Sequence, residues 1–365
     1  MRISDRYIGR QVLFGTLFAI LVLSMVLLLG NLFKQIRPLL VDKHAPLLLV
    51  LRFVLTVLPF SLMFTIPWGF LSAVLLVFGR LSSDQEINSF RVAGVSLARL
   101  VVPVFVIAAG LSAVCLWLNV NVVPLARGSL TDLLYETAKR DPRSLLNPGM
   151  VHAGLQDVKF FVEDQSGDSL IGLHLYRTPP DAAADAPLDA CLHAERFTFV
   201  VDDAKKELRL KLYNACFETR KPDGSIEMFL AEEAEPYLIP YGAVRMEKSK
   251  PATMTNQEID SYVARHPELT AEQRVKYATE VTQRYSFSLA CLAFAFVAVP
   301  LGMQARRRDS STGLLMSLFL GTGYFLFIMV ANDSKTTSGA LLALWAPNVI
   351  CVVVGLFLFR RAQYK

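Results

Sequence analysis

Residues 8–32 read IGRQVLFGTLFAILVLSMVLLLGNL, with a single charge, Arg10, near the start. A helix needs about 20 mostly apolar residues to cross a hydrocarbon core, so this stretch is long enough to span a membrane. It also exceeds the roughly 7–15 apolar residues of a signal-peptide core. The residues that close it, Asn31-Leu32-Phe33-Lys34, offer no small-residue cleavage site. The sequence therefore predicts a retained first span.

The same criterion picks out Phe53–Gly79, Leu97–Val123, Phe287–Gly302, Leu314–Ala331 and Leu341–Phe359. The fourth reaches spanning length only if Arg284-Tyr285-Ser286 is included. Pro59, Pro67 and Pro103 fall inside spans, where neighbouring helices re-satisfy the freed carbonyls. With 53% hydrophobic and 19% charged residues and a mean hydropathy of +0.41, the chain does not read as a soluble domain. Its expected fold class is a polytopic α-helical membrane protein, six spans arranged three plus three around an inserted all-β, jelly-roll-like domain. The divisions are a first membrane half at 1–123, the β domain with a helical exit at 124–280, and a second membrane half at 281–365.

Orientation follows from the short connections. Arg2, Arg6 and Arg10 precede the first span, and Arg80, Arg91 and Arg99 surround the link between the second and third. Arg306, Arg307 and Arg308 follow the fourth, and Arg360, Arg361 and Lys365 close the chain. Six spans put all four clusters on one side, which the excess of basic residues marks as the cytoplasm. Both termini are then cytoplasmic and the β domain is periplasmic. The net charge of +5 is accounted for in this way and gives no reason to expect nucleic acid. One loop departs from the rule: Lys34, Arg37, Lys43 and Arg52 lie on the outer side with only Asp42 against them.

The middle segment alternates like half-buried strands at Val158–Glu163, Ser169–Tyr176, Leu192–Val201, Glu207–Glu218 and Glu227–Leu230. Pro179–Ala190 reads as a loop. Folding the hairpin at 202–206 places Phe199 opposite Leu208, Phe197 opposite Leu210, and Cys191 opposite Cys216. That register makes Cys191 and Cys216 a candidate disulfide, two buried free thiols being the alternative. Thr255-Asn256-Gln257-Glu258 and Thr270-Ala271-Glu272-Gln273 match capping boxes. The second opens a helix expected to run continuously from Ala271 into the fourth span.

Chemistry is conspicuous by its absence. The chain has no GxxxxGK[ST] phosphate loop, no HExxH and no GxSxG, so no catalytic residue is named. The five cysteines form no CxxC and the histidines (44, 152, 174, 193 and 266) are scattered, so no metal or cofactor is expected. Almost no Asp, Glu or His lies inside the spans, which argues against ion coupling and places the energy source elsewhere.

The cytoplasmic link, Arg80-Leu81-Ser82-Ser83-Asp84-Gln85-Glu86-Ile87-Asn88-Ser89-Phe90-Arg91-Val92-Ala93-Gly94-Val95-Ser96, reads as a short helix. Ser82 or Ser83 would cap it, with Asp84 and Glu86 in its first turn and Gly94 at its C-terminal end. Ile87, Phe90 and Arg91, at i, i+3 and i+4, form an amphipathic peg for a partner's groove. The plainer alternative is an ordinary interfacial helix.

With these motifs in view, the chain resembles the LptF/LptG permeases of the lipopolysaccharide exporter. The likeness rests on Asp5-Arg6-Tyr7-Ile8, on Leu81 to Ser96, and on Leu344-Trp345-Ala346-Pro347-Asn348. Asn88-Ser89-Phe90 departs from the smaller, more apolar residues usual in the family. The resemblance implies a heterodimer with a paralogous permease, seated on a cytoplasmic ATPase dimer. It makes the link the coupling helix (about 82–93), with Asp84, Glu86, Phe90, Arg91 and Gly94 as its coupling residues. Lipopolysaccharide would enter a cavity beside the first and fifth spans and leave through a periplasmic bridge protein. Lys34 and Arg37 would then meet its phosphates, their alternative being snorkelling to lipid headgroups. Export of another anionic lipid or lipoprotein, or a membrane-anchored sensor, are the rival readings.

Overall fold

Apolar runs flanked by arginines and prolines become helices, and the alternating runs between them become strands. The computed structural model describes residues 3–35, 47–130, 151–155, 158–166, 169–177, 190–202, 207–220, 225–240, 251–304 and 310–363. The helices are α1 (Ile3–Gln35), α2 (Leu47–Ser83), α3 (Glu86–Val92), α4 (Leu97–Leu130), α5 (Asn256–Arg265), α6 (Ala271–Ser288), α7 (Ala290–Gln304), α8 (Ser310–Asp333) and α9 (Thr337–Gln363). Among the described residues five of these are long and apolar enough to cross a membrane, and α6 with α7 makes a sixth if the bent pair is one span.

That pair corrects the expectation of a continuous helix, because the axis turns by 41° at Leu289. The Ser288 hydroxyl donates to the Arg284 carbonyl (2.6 Å), while the Leu289 N–H reaches back three residues to Ser286 O (3.2 Å). Back-bonding by serine and a tightened turn both bend helices. The two expected capping boxes, at Thr255 with Glu258 and at Thr270 with Gln273, are both formed.

The membrane helices meet through small residues, as helices must when lipid is as apolar as their side chains. A Cβ on Gly355 of α9 would run into the backbone carbonyl of Phe296 on α7. One on Gly302 of α7 would overlap Phe78 of α2, and one on Gly69 of α2 would overlap Ile20 of α1. Close approach at these three points brings Phe70, Leu71, Phe78 and Phe294 into complete burial.

The strands are β1 (Val151–Leu155), β2 (Val158–Ser166), β3 (Ser169–Arg177), β4 (Ala190–Asp202), β5 (Glu207–Arg220) and β6 (Ile226–Pro240). They form one antiparallel sheet in the order β1-β2-β3-β4-β5-β6. The sequence reading missed β1 and stopped β6 at Leu230. One face is buried, with Val162, Leu173, Leu175, Leu192 and Ala194 on it, and Phe161, His174, Tyr176, Cys191 and Cys216 lie half-buried on the other.

The β4–β5 register corrects the expected one. Phe199 faces Leu210, Phe197 faces Leu212, Cys191 faces Glu218 and Cys216 faces His193. Pairing ends at Asp202 and Glu207, and the centre of the hairpin falls one residue later than in the expected register. A shift of two leaves every side chain on its face, which is why alternation could not reveal it. Cys191 and Cys216 become diagonal neighbours, a relation that sets alpha carbons about 7–8 Å apart and beyond easy bridging, and both are free thiols. Burial, then the nearby Glu218 carboxylate, then Cys216 push the Cys191 thiol above its ordinary value. Thiolate is the reactive form, so Cys191 should alkylate more slowly than a model thiol near pH 8, its rate still rising above pH 9. Mass spectrometry after timed iodoacetamide labelling of non-reduced protein checks this; a Cys191–Cys216 bridge in that sample would refute it.

The chain divides into two compact units, a helical one drawn from both ends and a strand unit covering Thr131–Glu247. α5 and α6 belong to the helical unit.

Candidate functional site

At the end of α2 the chain makes one turn before α3 begins. The Asp84 N–H bonds Arg80 O (2.9 Å), and Gln85, at φ 60°, forms the N-cap without a side-chain cap bond. The serines expected to cap α3 work elsewhere. Ser83 donates to Arg80 O (3.0 Å), and Ser82 donates to Met303 O (2.7 Å), tying the end of α2 to the end of α7. Glu86 opens the helix, whereas Asp84 stays in the turn before it.

The other end matches expectation. Gly94 has φ 81°, its N–H bonds Arg91 O (3.0 Å), and the Val95 N–H bonds Phe90 O (2.9 Å). This is a Schellman stop, which needs a left-handed residue after the cap and so favours glycine. Phe90 and Val95 complete it by packing on the helical core.

The exposed face of α3 differs from the predicted peg. Ile87 is only 7% exposed and Phe90 is half-buried, both against the chain's own bundle. Asn88, Ser89, Arg91 and Val92 face outward, Val92 at 90% exposure. A seven-residue helix cannot hold itself, so two apolar side chains anchor it, and a mixed surface of Asn88, Ser89, Arg91 and Val92 stays exposed.

One contact was not anticipated. The Tyr7 hydroxyl donates to the Glu86 carboxylate, 3.1 Å from Oε2, joining the first turns of α1 to the start of α3. Beside it the Arg80 guanidinium donates to Gln11 Oε1 at 2.8 Å. The signal was present, since both partners lie in stretches singled out above, but nothing in either stretch says that they meet.

α1 and α8 lie on neighbouring stripes of α2. On one stripe Ser24 meets Thr65 (2.9 Å), Gly69 meets Ile20, and Ala73 meets Gly15. On the other, Trp68 meets Gly321, Ser72 donates to Ser317 (3.1 Å), and Leu76 meets Gly313. Each stripe repeats every four residues, and a turn of 100° per residue sets the two about 90° apart. α1 and α8 thus flank one face of α2. Their other surfaces are bare and apolar, with Phe18 of α1 71% exposed and Phe319 of α8 77% exposed. An open hollow of about 560 Å³ runs along α8, lined by Leu315, Met316, Leu318, Phe319 and Thr322. Lys34 falls in the last turn of α1, but its side chain and the whole of Arg37 lie outside the described residues.

A buried polar knot closes the second half of the bundle. Asn348 of α9 donates to Ser286 Oγ (2.9 Å) and O (3.0 Å), Ser286 donates to Leu344 O (2.6 Å), and Tyr324 of α8 donates to Asn348 Oδ1 (3.3 Å). The knot gives Leu344–Asn348 a physical reason: it fastens α6, α8 and α9 at the bend. Below it, Arg284 is held by Asn256 Oδ1 (2.7 Å), Met254 O (2.8 Å) and Glu280 (3.2 Å).

A helical bundle with small-residue seams, a capped helix between its second and third spans and an inserted antiparallel sheet defines a polytopic membrane protein. The chain belongs to the LptF/LptG family: the model described as lipopolysaccharide export system permease LptF/LptG matches residues 6–361, essentially the whole length. The family's role is that of a permease component of lipopolysaccharide export in the inner membrane. Comparison with curated proteins gives no match.

Proposed function

We propose that this chain is one of two paralogous permeases that together extract lipopolysaccharide from the inner membrane, driven by a separate cytoplasmic ATPase dimer. The observation that carries this reading is the Glu86–Tyr7 hydrogen bond, which links the short helix α3 to α1, one of the two helices that flank α2. Force applied to α3 by a closing ATPase passes through Glu86 and Tyr7 to α1. α1 and α8 flank α2, and their movement on it opens or squeezes the path for acyl chains. Lys34, in the last turn of α1, and Arg37, three residues further along the sequence, hold the phosphates of the headgroup, Arg as a fork and Lys as a point charge. The sheet, on the periplasmic side, hands the lipid to a bridge protein.

Affinity purification in mild detergent is the primary test, with a second permease, an ATPase and lipopolysaccharide expected to co-elute. A stable homodimer free of ATPase would overturn the assignment. Sidedness is checked by an impermeant thiol reagent applied from outside, which should spare Ser83→Cys in intact cells and label it in inverted vesicles. Lys34→Glu with Arg37→Glu should leave assembly intact but cut lipopolysaccharide export severalfold, so unchanged export removes these two residues from the substrate path.

A further inference from the structure

On the open face of the sheet Phe161, His174, His193 and Cys216 stand opposite one another across β2, β3, β4 and β5. His174 Nδ1 and His193 Nδ1 face each other at 3.2 Å, with ring centroids 4.4 Å apart. On its other side His174 Nε2 meets Glu163 Oε1 at 3.0 Å. An ionised carboxylate only accepts, so Nε2 carries the hydrogen, and in the neutral ring Nδ1 keeps a lone pair toward His193. Phe161 and Tyr176 flank the His174 ring, at 6.1 and 6.4 Å between centroids.

Gly172 makes this arrangement possible. It lies between His174 and Ile171 on β3 at φ 67°, and a Cβ there would overlap the Glu163 side chain. Glu163 of β2 therefore leans over Gly172, which has no side chain, to reach His174 on the same strand β3.

Neighbouring nitrogen ligands on a tetrahedral ion with bonds of about 2.0–2.1 Å stand about 3.3 Å apart. A carboxylate behind the ring is how ligating histidines are usually fixed in tautomer and orientation. We propose that His174 and His193 chelate a divalent, imidazole-preferring cation of the zinc class through their Nδ1 atoms, with Glu163 as the positioning residue. Among the described residues no three His, Cys, Asp or Glu side chains are placed to hold an ion together, so water fills the remaining positions. Such a site binds reversibly and only while both imidazoles are neutral.

The test uses the full chain in detergent with its co-purifying partners, stripped of metal and titrated with Zn²⁺ against a chromophoric chelator. One zinc per chain is expected, with at least tenfold weaker binding in His174→Ala or His193→Ala. Glu163→Gln should weaken binding by about 10–100-fold, the usual effect of losing such an outer partner. Gly172→Ala should do the same by displacing Glu163. Melting curves of each metal-free variant separate lost binding from lost folding. A Cys191→Ser, Cys216→Ser background should retain the site; loss there would assign the ion to the thiols instead. Unchanged stoichiometry in the double histidine variant, or no zinc binding below millimolar in the unmodified chain, overturns the proposal.

Discussion

Gly355→Val should leave almost no monodisperse protein after detergent extraction, the largest structural effect expected of any single substitution here. The Cβ it adds would overlap the carbonyl oxygen and carbon of Phe296 and its Cβ. The first two are backbone atoms of a helix and the Cβ is fixed to it, so no rotamer change relieves the clash; α9 and α7 must separate. Overpacking a tight contact costs about 1–3 kcal/mol where side chains can shift, and more where they cannot. Displacing α9 would also strain the knot that joins its Asn348 to Ser286 of α6. Gly323→Ala is the control, because nothing lies within 4 Å of the added carbon, and its yield and melting temperature should match the parent. Equal yields from the two variants would show that α7 and α9 do not touch as described.

Glu86→Ala should have the largest functional effect while leaving the fold in place. Glu86 is half-buried and its visible work is to accept the Tyr7 hydroxyl, so alanine costs little packing. What is lost is an anionic acceptor at the junction of α3 and α1, and a hydrogen bond to a charged group is worth about 1.5–3 kcal/mol before solvent weakens it. Export driven by ATP should fall by more than about tenfold, with α3 still stopped by Gly94 and anchored by Ile87. Tyr7→Phe keeps the carboxylate and removes one donor, so it should reduce export only a few-fold. Release of lipopolysaccharide from proteoliposomes, measured beside ATP hydrolysis, separates coupling from catalysis. Full export by Glu86→Ala would remove this junction from the mechanism.

The spans, the inserted strands and the Schellman glycine could be read directly because each depends on local pattern: long apolar runs, alternation, and a left-handed residue after a short helix. What escaped depends on distance or on parity. A register shift of two conserves facing, so Phe197 and Leu210 looked like partners although Phe197 pairs with Leu212. The bend at Leu289 arises from serine hydroxyls redirecting backbone bonds inside an otherwise helical sequence. Around α3, the first-turn place of Glu86 and the stop at Gly94 were legible, whereas the contacts of Ser82, Ile87 and Phe90 were not. Amphipathic spacing marks a sticky face without saying whether the chain itself or a partner covers it. The histidine pair shows the same limit, since residues 19 apart become neighbours only through the pairing of β3 with β4.

The two stripes on α2 have a mechanical consequence. On each stripe a glycine of one helix seats a longer side chain of the other, Gly69 under Ile20 and Gly321 under Trp68, and the Ser72–Ser317 bond adds a single polar tie. Notches spaced one helical turn apart favour displacement in whole turns of about 5.4 Å over a smooth glide, so α1 and α8 would move on α2 like two ratchets on a common rack. Larger residues at Ala73 or Ser72 would act as a brake, slowing passage without closing it.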